Sequence, residues 1–422
     1  MRDVAIVGAG LAGMAAARAL EARGLSVVVI ESDEDVGGRV HSHALGGGVA
    51  DLGGEWVGPH HLHMIGLVRA LGLNLEPTGF FGAPLLWRGP SGDRLSRLPG
   101  RDIAIPLVRT QMKLNRLARG VSPETPWTAE HAAELDSRTY ADWLRAEGVN
   151  GAAYTYLTEL VGALSSCRAG EISLLQVVWW SARSGSAFST LRKTVHWRVR
   201  EGAQSICGGI GRELRGELLL GTPVRRIAQN GAVEIEAEDG ATHAARRAIV
   251  TVPPAAAPAI EYEPGLPPGQ SRAERELHME PAIKLTALLP PHHSAPQKMV
   301  LGGHPVGVSW RYGRQVVGFV APWEADASDE ALLSDLGAAF GLPADGLVEP
   351  AIKRWSERAR IPGGDLGFRP GQLTGVAPLL GEDHGLIAMA GAERSSWPNN
   401  MEGAVASGVR AAARTAAALA AP

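Results

Sequence analysis

Apolar positions form short unbroken runs near the two ends of the chain and an alternating pattern across the stretch that follows residue 215. Val4–Val7 and Val27–Ile30 are continuous apolar runs, and the intervening MAAARALEARG is rich in helix formers. Runs this short suit buried parallel strands, so residues 4–31 read as strand, turn, helix, strand. The stretch LLLGTPVRRIAQNGAVEIEAEDGATHAARRAIVTVPP alternates instead. Asn230-Gly231 and Asp239-Gly240 interrupt it, which predicts antiparallel strands joined by tight turns. EYEPGLPPGQ then reads as a linker.

Helical spacing recurs elsewhere. Leu62, Ile65, Leu67, Val68 and Leu71 share one face before the stop signal at Gly72, and this helix is expected to pack on the first sheet. Further helices are predicted at 103–118, 128–134, 139–147, 174–184 and 329–340. Strands are predicted around Lys284, at 306–310 and at 315–320. The closing GLIAMAGAERSSWPNNMEGAVASGVRAAARTAAAL reads as strand, turn, helix.

The first turn carries the most specific chemistry. Gly8, Gly10 and Gly13 fit G-x-G-x-x-G at a strand-to-helix junction, and Glu31 ends the second strand. The first glycine permits the turn, the second lets backbone approach a pyrophosphate, and the third lets helix and strand pack closely. The helix N-terminus favours phosphate charge, and a carboxylate at Glu31 can accept hydrogen bonds from a ribose diol. With 53 glycines in the chain, the spacing alone would be weak, so the flanking elements carry the argument. Gly37-Gly38-Arg39 adds a second glycine turn with a cation, and Gly53-Gly54-Glu55-Trp56 a third close-approach stretch.

Composition narrows the partners. A chain of 422 residues with 45% hydrophobic and 20% charged residues has room for two domains, and a net charge of -3 gives no reason to expect nucleic acid. The two cysteines, Cys167 and Cys207, offer no zinc or iron-sulfur spacing and leave a disulfide open. His41, His43, His60, His61 and His63 occupy adjacent and alternate positions that do not converge on one ion, so no metal is expected. The nucleotide strand starts at Val4 and no run approaches ~18 apolar residues, which predicts a cytoplasmic protein without a membrane anchor. A homodimer stays open. Most tryptophans, Trp87, Trp127, Trp143, Trp179, Trp180 and Trp197 among them, are expected in the core.

On these glycine stretches, on PAIK and on GAERSSWPNNMEGA, the chain resembles the flavin-containing amine oxidase family. That family includes the monoamine and polyamine oxidases, the L-amino acid oxidases and, more distantly, protoporphyrinogen oxidase and phytoene desaturase. The resemblance implies an α/β fold: a Rossmann-type FAD-binding domain from residues 1–75, 200–275 and 356–422, with an inserted α+β substrate domain from 76–199 and 276–355. It also implies FAD contacts at Gly8, Gly10, Gly13, Glu31, Gly38, Arg39, Gly53, Gly54, Glu55 and Trp56. Val224 would meet the adenine edge, Trp355 would lie along the isoalloxazine, and Gly391, Glu393, Met401 and Ala404 would form the last contact.

Lys284 matches the family lysine that holds a water on flavin N5. Asp365 stands where monoamine oxidases carry the cysteine linked to flavin, so FAD is expected to be non-covalent. The two aromatic residues that cradle an amine in those enzymes fall at Leu366 and Asn400, so there is no aromatic cage, and with Trp397 these positions are the expected substrate wall. Glu55 is a second catalytic candidate, as a base or as a partner for a cationic nitrogen. Arg311, Tyr312 and Arg314 could meet a carboxylate, though nothing in their spacing selects them. The expected reaction is hydride transfer from a C–N bond of an amine, amino acid or amide, giving an imine and, with O2, hydrogen peroxide, and a biosynthetic substrate is compatible with the missing cage. A C–C dehydrogenase like protoporphyrinogen oxidase or phytoene desaturase, or a flavoprotein without oxidase activity, is the alternative.

Overall fold

A computed structural model describes the chain except residues 91, 98, 187–188, 190–193, 359, 362 and 422. The strand β1 (Arg2–Val7), the helix α1 (Leu11–Glu21) and the strand β2 (Val27–Ile30) form the expected opening unit. β1 and β2 pair in parallel at the centre of an eight-stranded sheet. On the other side of β1 lies the long strand Thr242–Val250, and this strand divides its pairing. Its first residues pair antiparallel with Val233–Ala237, and its last, Ala248 to Val250, pair in parallel with Ile387–Met389. The turns at Asn230-Gly231 and Asp239-Gly240 fall where the alternation breaks, with Gly231 and Gly240 at φ +71 and +87.

Helix α1 and the helix Met401–Ala420 cover one face of this sheet and meet each other closely. A Cβ at Gly408 would stand 2.1 Å from the carbonyl oxygen of Ala12, so only a glycine allows that approach. The helix Leu62–Ala70 packs on Met401–Ala420 instead of directly on the strands. Its Met64, Leu67 and Val68 join the same core.

A second, seven-stranded sheet runs Val348–Arg354, Ile283–Leu288, Gln315–Val320, Val306–Tyr312, Met299–Leu301, Leu85–Gly89, Gly92–Ser96. Helices Arg101–Leu117, Gly151–Ser165 and Leu174–Ser184 pack beside it. The Leu174–Ser184 helix has the predicted bounds because both ends are capped. Ser173 accepts from Leu175 N–H, and Gly185 turns left-handed at φ +76.

Three expectations change. The helix read over 128–134 is a 3-10 turn, Pro126–Thr128, followed by a short helix, Ala132–Asp136, since Thr128 turns back to Thr125. EYEPGLPPGQ is no linker, because Glu261–Glu263 joins the first sheet beside Val224–Gln229. The helix Gly151–Ser165 escaped the pattern reading, its Gly, Tyr and Thr content giving a weak helical signal. Both cysteines are buried and free. Among the described residues, no helix is long and apolar enough to cross a membrane.

His61 stands at the position just before the Leu62–Ala70 helix and is fully buried. Its Nδ1 accepts from Gly58 N–H at 2.9 Å, and Trp397 lies edge-on with ring centroids 5.2 Å apart. Burial pushes its pKa down to about 4, against a partial offset from Glu402. The folded protein therefore resists a proton that the unfolded chain takes up near 6.5. The resulting stabilisation is complete above that value and is lost as pH falls toward 4, an amount of about 3 kcal/mol. His61→Gln, which retains an acceptor for Gly58, is expected to show a smaller fall in melting temperature between pH 7 and pH 4.5 than the parent. An equal fall would show that His61 is not the titrating group.

Candidate functional site

One cavity of about 580 Å³ joins the two halves, running from the first glycine turn and Glu31 to Trp179, Trp180 and Trp310. At its nucleotide end the backbone is packed against backbone. A Cβ at Gly13 would stand 1.9 Å from Gly8 O, and Gly8 holds φ +105 beside the Thr251 hydroxyl. That packing brings the N-terminus of α1 to the cavity wall, where Gly8, Gly10, Leu11 and Ala12 lie. Gly13 is not on the wall. Its part is to let helix and strand approach.

Glu31 closes this end. One carboxylate oxygen accepts from Ala9 N–H at 2.6 Å and the other from Asp33 N–H at 2.9 Å. A carboxylate has about four acceptor positions, so capacity remains toward the cavity. Gly38 and Arg39 line the wall next to it. Arg39 makes a two-pronged pair with Glu393, at 2.5 and 3.0 Å, and also donates to Gly364 O. Burial opposes the Glu393 charge, but Arg39 prevails and holds its pKa below the usual carboxylate range. Glu393 is thus placed behind Arg39, off the cavity wall, since its two oxygens are both occupied by the guanidinium.

Farther along, Gly53, Gly54, Glu55, Trp56, Val224, Trp355, Gly391, Met401 and Ala404 all line the cavity. A Cβ at Gly53 would come 2.2 Å from Arg39 O and 3.0 Å from the Trp355 ring. Trp355 is locked by its indole N–H, which donates to Leu52 O at 2.8 Å. Asp365 is on the wall too, with its carboxylate accepting from Ser166 at 2.7 Å and its pKa raised by burial.

Lys284 and Glu55 form the chemical centre. Strand Ile283–Leu288 delivers Lys284 from the second sheet, and Glu55 follows the Gly53-Gly54 approach from the first half. Lys284 Nζ donates to Glu55 Oε2 at 2.6 Å and to Gly53 O at 3.0 Å, and it lies 5.2 Å from the Trp310 ring centroid. The side chains are 6% and 3% exposed. Glu55 Oε1 has no hydrogen-bond partner among the described residues. A buried carboxylate with one oxygen free is costly unless something else meets it. Behind it, Asp51 is pushed up to about 6 by burial and by the Glu55 charge. Burial and Glu55 also keep the Tyr312 phenol well above its ordinary range, and its oxygen accepts from Trp56 Nε1 at 3.0 Å.

The substrate wall differs from expectation. Trp397 and Asn400 line the cavity, but Leu366 does not. Leu366 is turned into the helical core, where it is 1% exposed, because strand Asp365–Leu366 pairs with Met279–Glu280 and alternates its side chains. Asn400 Oδ1 accepts from Glu402 N–H as a helix cap, leaving the amide nitrogen as its free group among the described residues. Arg311 and Arg314 are consumed by the carbonyls of Gln297, Ala295 and Leu289, away from the cavity. Sequence reasoning missed Thr251, Trp310 and Arg183 as wall residues. Only the position of Trp310 on a predicted strand facing Lys284 could have signalled one of them.

A family model described as flavin containing amine oxidoreductase matches residues 11–416. An L-amino acid dehydrogenase of Synechocystis is 28% identical, over 97% of this chain and 94% of its own length. Among solved structures, wild-type putrescine oxidase bound to putrescine superposes with a TM-score of 0.90 at 26% identity, covering 99% of both chains. Cyclohexylamine oxidase from Brevibacterium oxydans is 27% identical at the same TM-score and coverage.

Because the Lys284–Glu55 pair is buried, removal of either partner strands the other. Lys284→Met and Glu55→Gln are each expected to destabilise the protein by about 3–5 kcal/mol. The double variant Lys284→Met/Glu55→Gln should cost clearly less than the sum, as read from denaturant midpoints. Additive effects would show that the two charges do not interact.

Proposed function

Because the chain belongs to the flavin-containing amine oxidoreductase family, we propose that it binds FAD non-covalently and oxidises a C–N bond of a small nitrogen-containing substrate, with O2 as acceptor. The observation that carries this reading is Lys284, a buried ammonium at the junction of a glycine-lined nucleotide cradle and an indole-lined chamber. The residues fit the cofactor, because side chains at Gly8, Gly13 and Gly53 would overlap neighbouring atoms where backbone must come close. Glu31 and the first glycine turn would hold the ribose and pyrophosphate, with Arg39 adding a cation that Glu393 fixes. Val224 would meet the adenine edge, and Trp355, Gly54 and Met401 the ring system.

When bound, FAD would supply a two-electron acceptor for the hydride of the C–N bond, with O2 as the terminal oxidant and hydrogen peroxide as its product. Lys284 uses two donors on Glu55 and Gly53, and its third N–H holds a water beside the reacting atoms. Glu55 fixes Lys284 and places a carboxylate charge at this end of the cavity, which attracts the substrate nitrogen and helps orient its C–H. Trp56, Trp310 and Phe319 keep bulk water out of this end. With Asn400 in place of an aromatic cage, orientation rests on these polar contacts.

The test is anaerobic mixing of the yellow holoenzyme with primary and secondary amines, amino acids, polyamines and amides. Loss of the flavin band with at least one of them, and return of colour with peroxide when air is admitted, is the expected result. Lys284→Met should retain FAD yet slow this cycle at least tenfold. Bleaching by C–H donors that contain no nitrogen, and by none that do, would overturn the reading.

A further inference from the structure

The helix Leu174–Ser184 brings a cation to the cavity that the reaction above does not use. Four cationic side chains line the cavity among the described residues: Arg39, Lys284, Arg360 and Arg183. Arg39 is matched by Glu393, Lys284 by Glu55, and Arg360 by Glu238. Arg183 is matched less well. Its Nη1 donates to Glu124 at 2.6 Å, but its Nε is buried with no hydrogen-bond partner among the described residues.

The Glu124 side chain is 65% exposed against 18% for Arg183, so water screens the one counter-charge more than it screens the cation. A second guanidinium adds to the imbalance. Arg410 senses the charges of both Arg183 and Glu124, and its own hydrogen bond goes to Arg394 O, a neutral partner. Two guanidiniums therefore share one solvated carboxylate at this edge.

Geometry singles out Arg183 as the one that reaches the cavity. Its guanidinium carbon lies 4.6 Å from the Trp397 ring centroid, and Trp397 lies on the cavity wall with Asn400. A guanidinium held over an indole is restricted in position, and its planar fork matches a carboxylate. The Asn400 amide nitrogen supplies a neutral donor on the same wall.

We propose that Arg183 is an anion-binding subsite of the substrate chamber, taking a carboxylate, so that the substrate is an amino acid and not a simple amine. This rests on the C–N oxidation reading. A zwitterion then meets an anionic group, Glu55, and a cationic one, Arg183, within a single cavity. Simple amines lack the second contact and bind more weakly.

The test titrates benzoate, a carboxylate with no oxidisable C–N bond, into the holoenzyme and follows the flavin spectrum. A second arm compares anaerobic flavin reduction by phenylalanine and by phenethylamine. Arg183→Gln is expected to weaken benzoate at least about tenfold, the usual order for a charge-assisted contact. It should raise the phenylalanine concentration needed for half-maximal reduction similarly, and leave the phenethylamine value unchanged. Glu124→Gln removes the competing carboxylate and retains the guanidinium, so benzoate should bind as tightly as to the parent, or more tightly. No benzoate effect in the parent, equal affinity in Arg183→Gln, or equal weakening in both variants would overturn the proposal, the last because it would mark a purely structural ion pair. If no nitrogen compound reduces the flavin, the oxidation reading fails, while the benzoate arms still decide the subsite.

Discussion

Backbone-to-backbone contact around α1 is the constraint on which the rest of the structure depends. At its start, Gly13 sits where a methyl group would lie 1.9 Å from Gly8 O, and on its flank Gly408 closes to a comparable distance on Ala12 O. These two contacts bring the helix end onto the cavity and bring Met401–Ala420 onto the helix. The wall residues Met401 and Ala404 then follow from helical geometry. Without the close approach, the two ends of the chain would not line the same cavity.

The second requirement is electrostatic. The cavity gathers charges that burial penalises, and each is held by a partner from a distant part of the chain: Arg39 by Glu393 and Lys284 by Glu55. Such pairs are weak sources of stability, because desolvation consumes most of the attraction. They are strong sources of geometry, because the alternatives, unpaired charges in the same places, cost several kcal/mol. Lys284 and Glu55 also come from different halves, so the pair ties the second sheet to the nucleotide cradle at the point where chemistry is proposed.

Much of the nucleotide-binding half was legible in the sequence because its signals are local. Gly8, Gly10, Gly13 and Glu31 sit at fixed offsets from two apolar runs, and turn glycines mark each hairpin. The substrate wall was not legible, for two physical reasons. Leu366 was assigned by resemblance to a family position, but a two-residue strand pairing decides which side chain faces in, and that pairing partner, Met279–Glu280, lies more than eighty residues away. Arg183 carries no sequence signal beyond its place near the end of a helix, and only the tertiary approach of Trp397 and Glu124 distinguishes it. Glu402, which accepts from Met64 N–H and meets His63, was similarly silent until the helices were packed.

The divided pairing of strand Thr242–Val250 bears on how the chain reaches this state. β1 is hydrogen-bonded to a strand some 240 residues later, and that strand is completed by Ile387–Met389. Contacts of such sequence separation require the intervening loop to close before they contribute, which makes assembly slow. During synthesis, the apolar runs of β1 and β2 emerge early and wait with unpaired edges until Glu217–Leu219 and Thr242–Val250 are available, and the latter strand waits in turn for Ile387–Met389. The nucleotide cradle, though encoded first, is therefore among the parts finished late, and its early strands are where aggregation competes with folding.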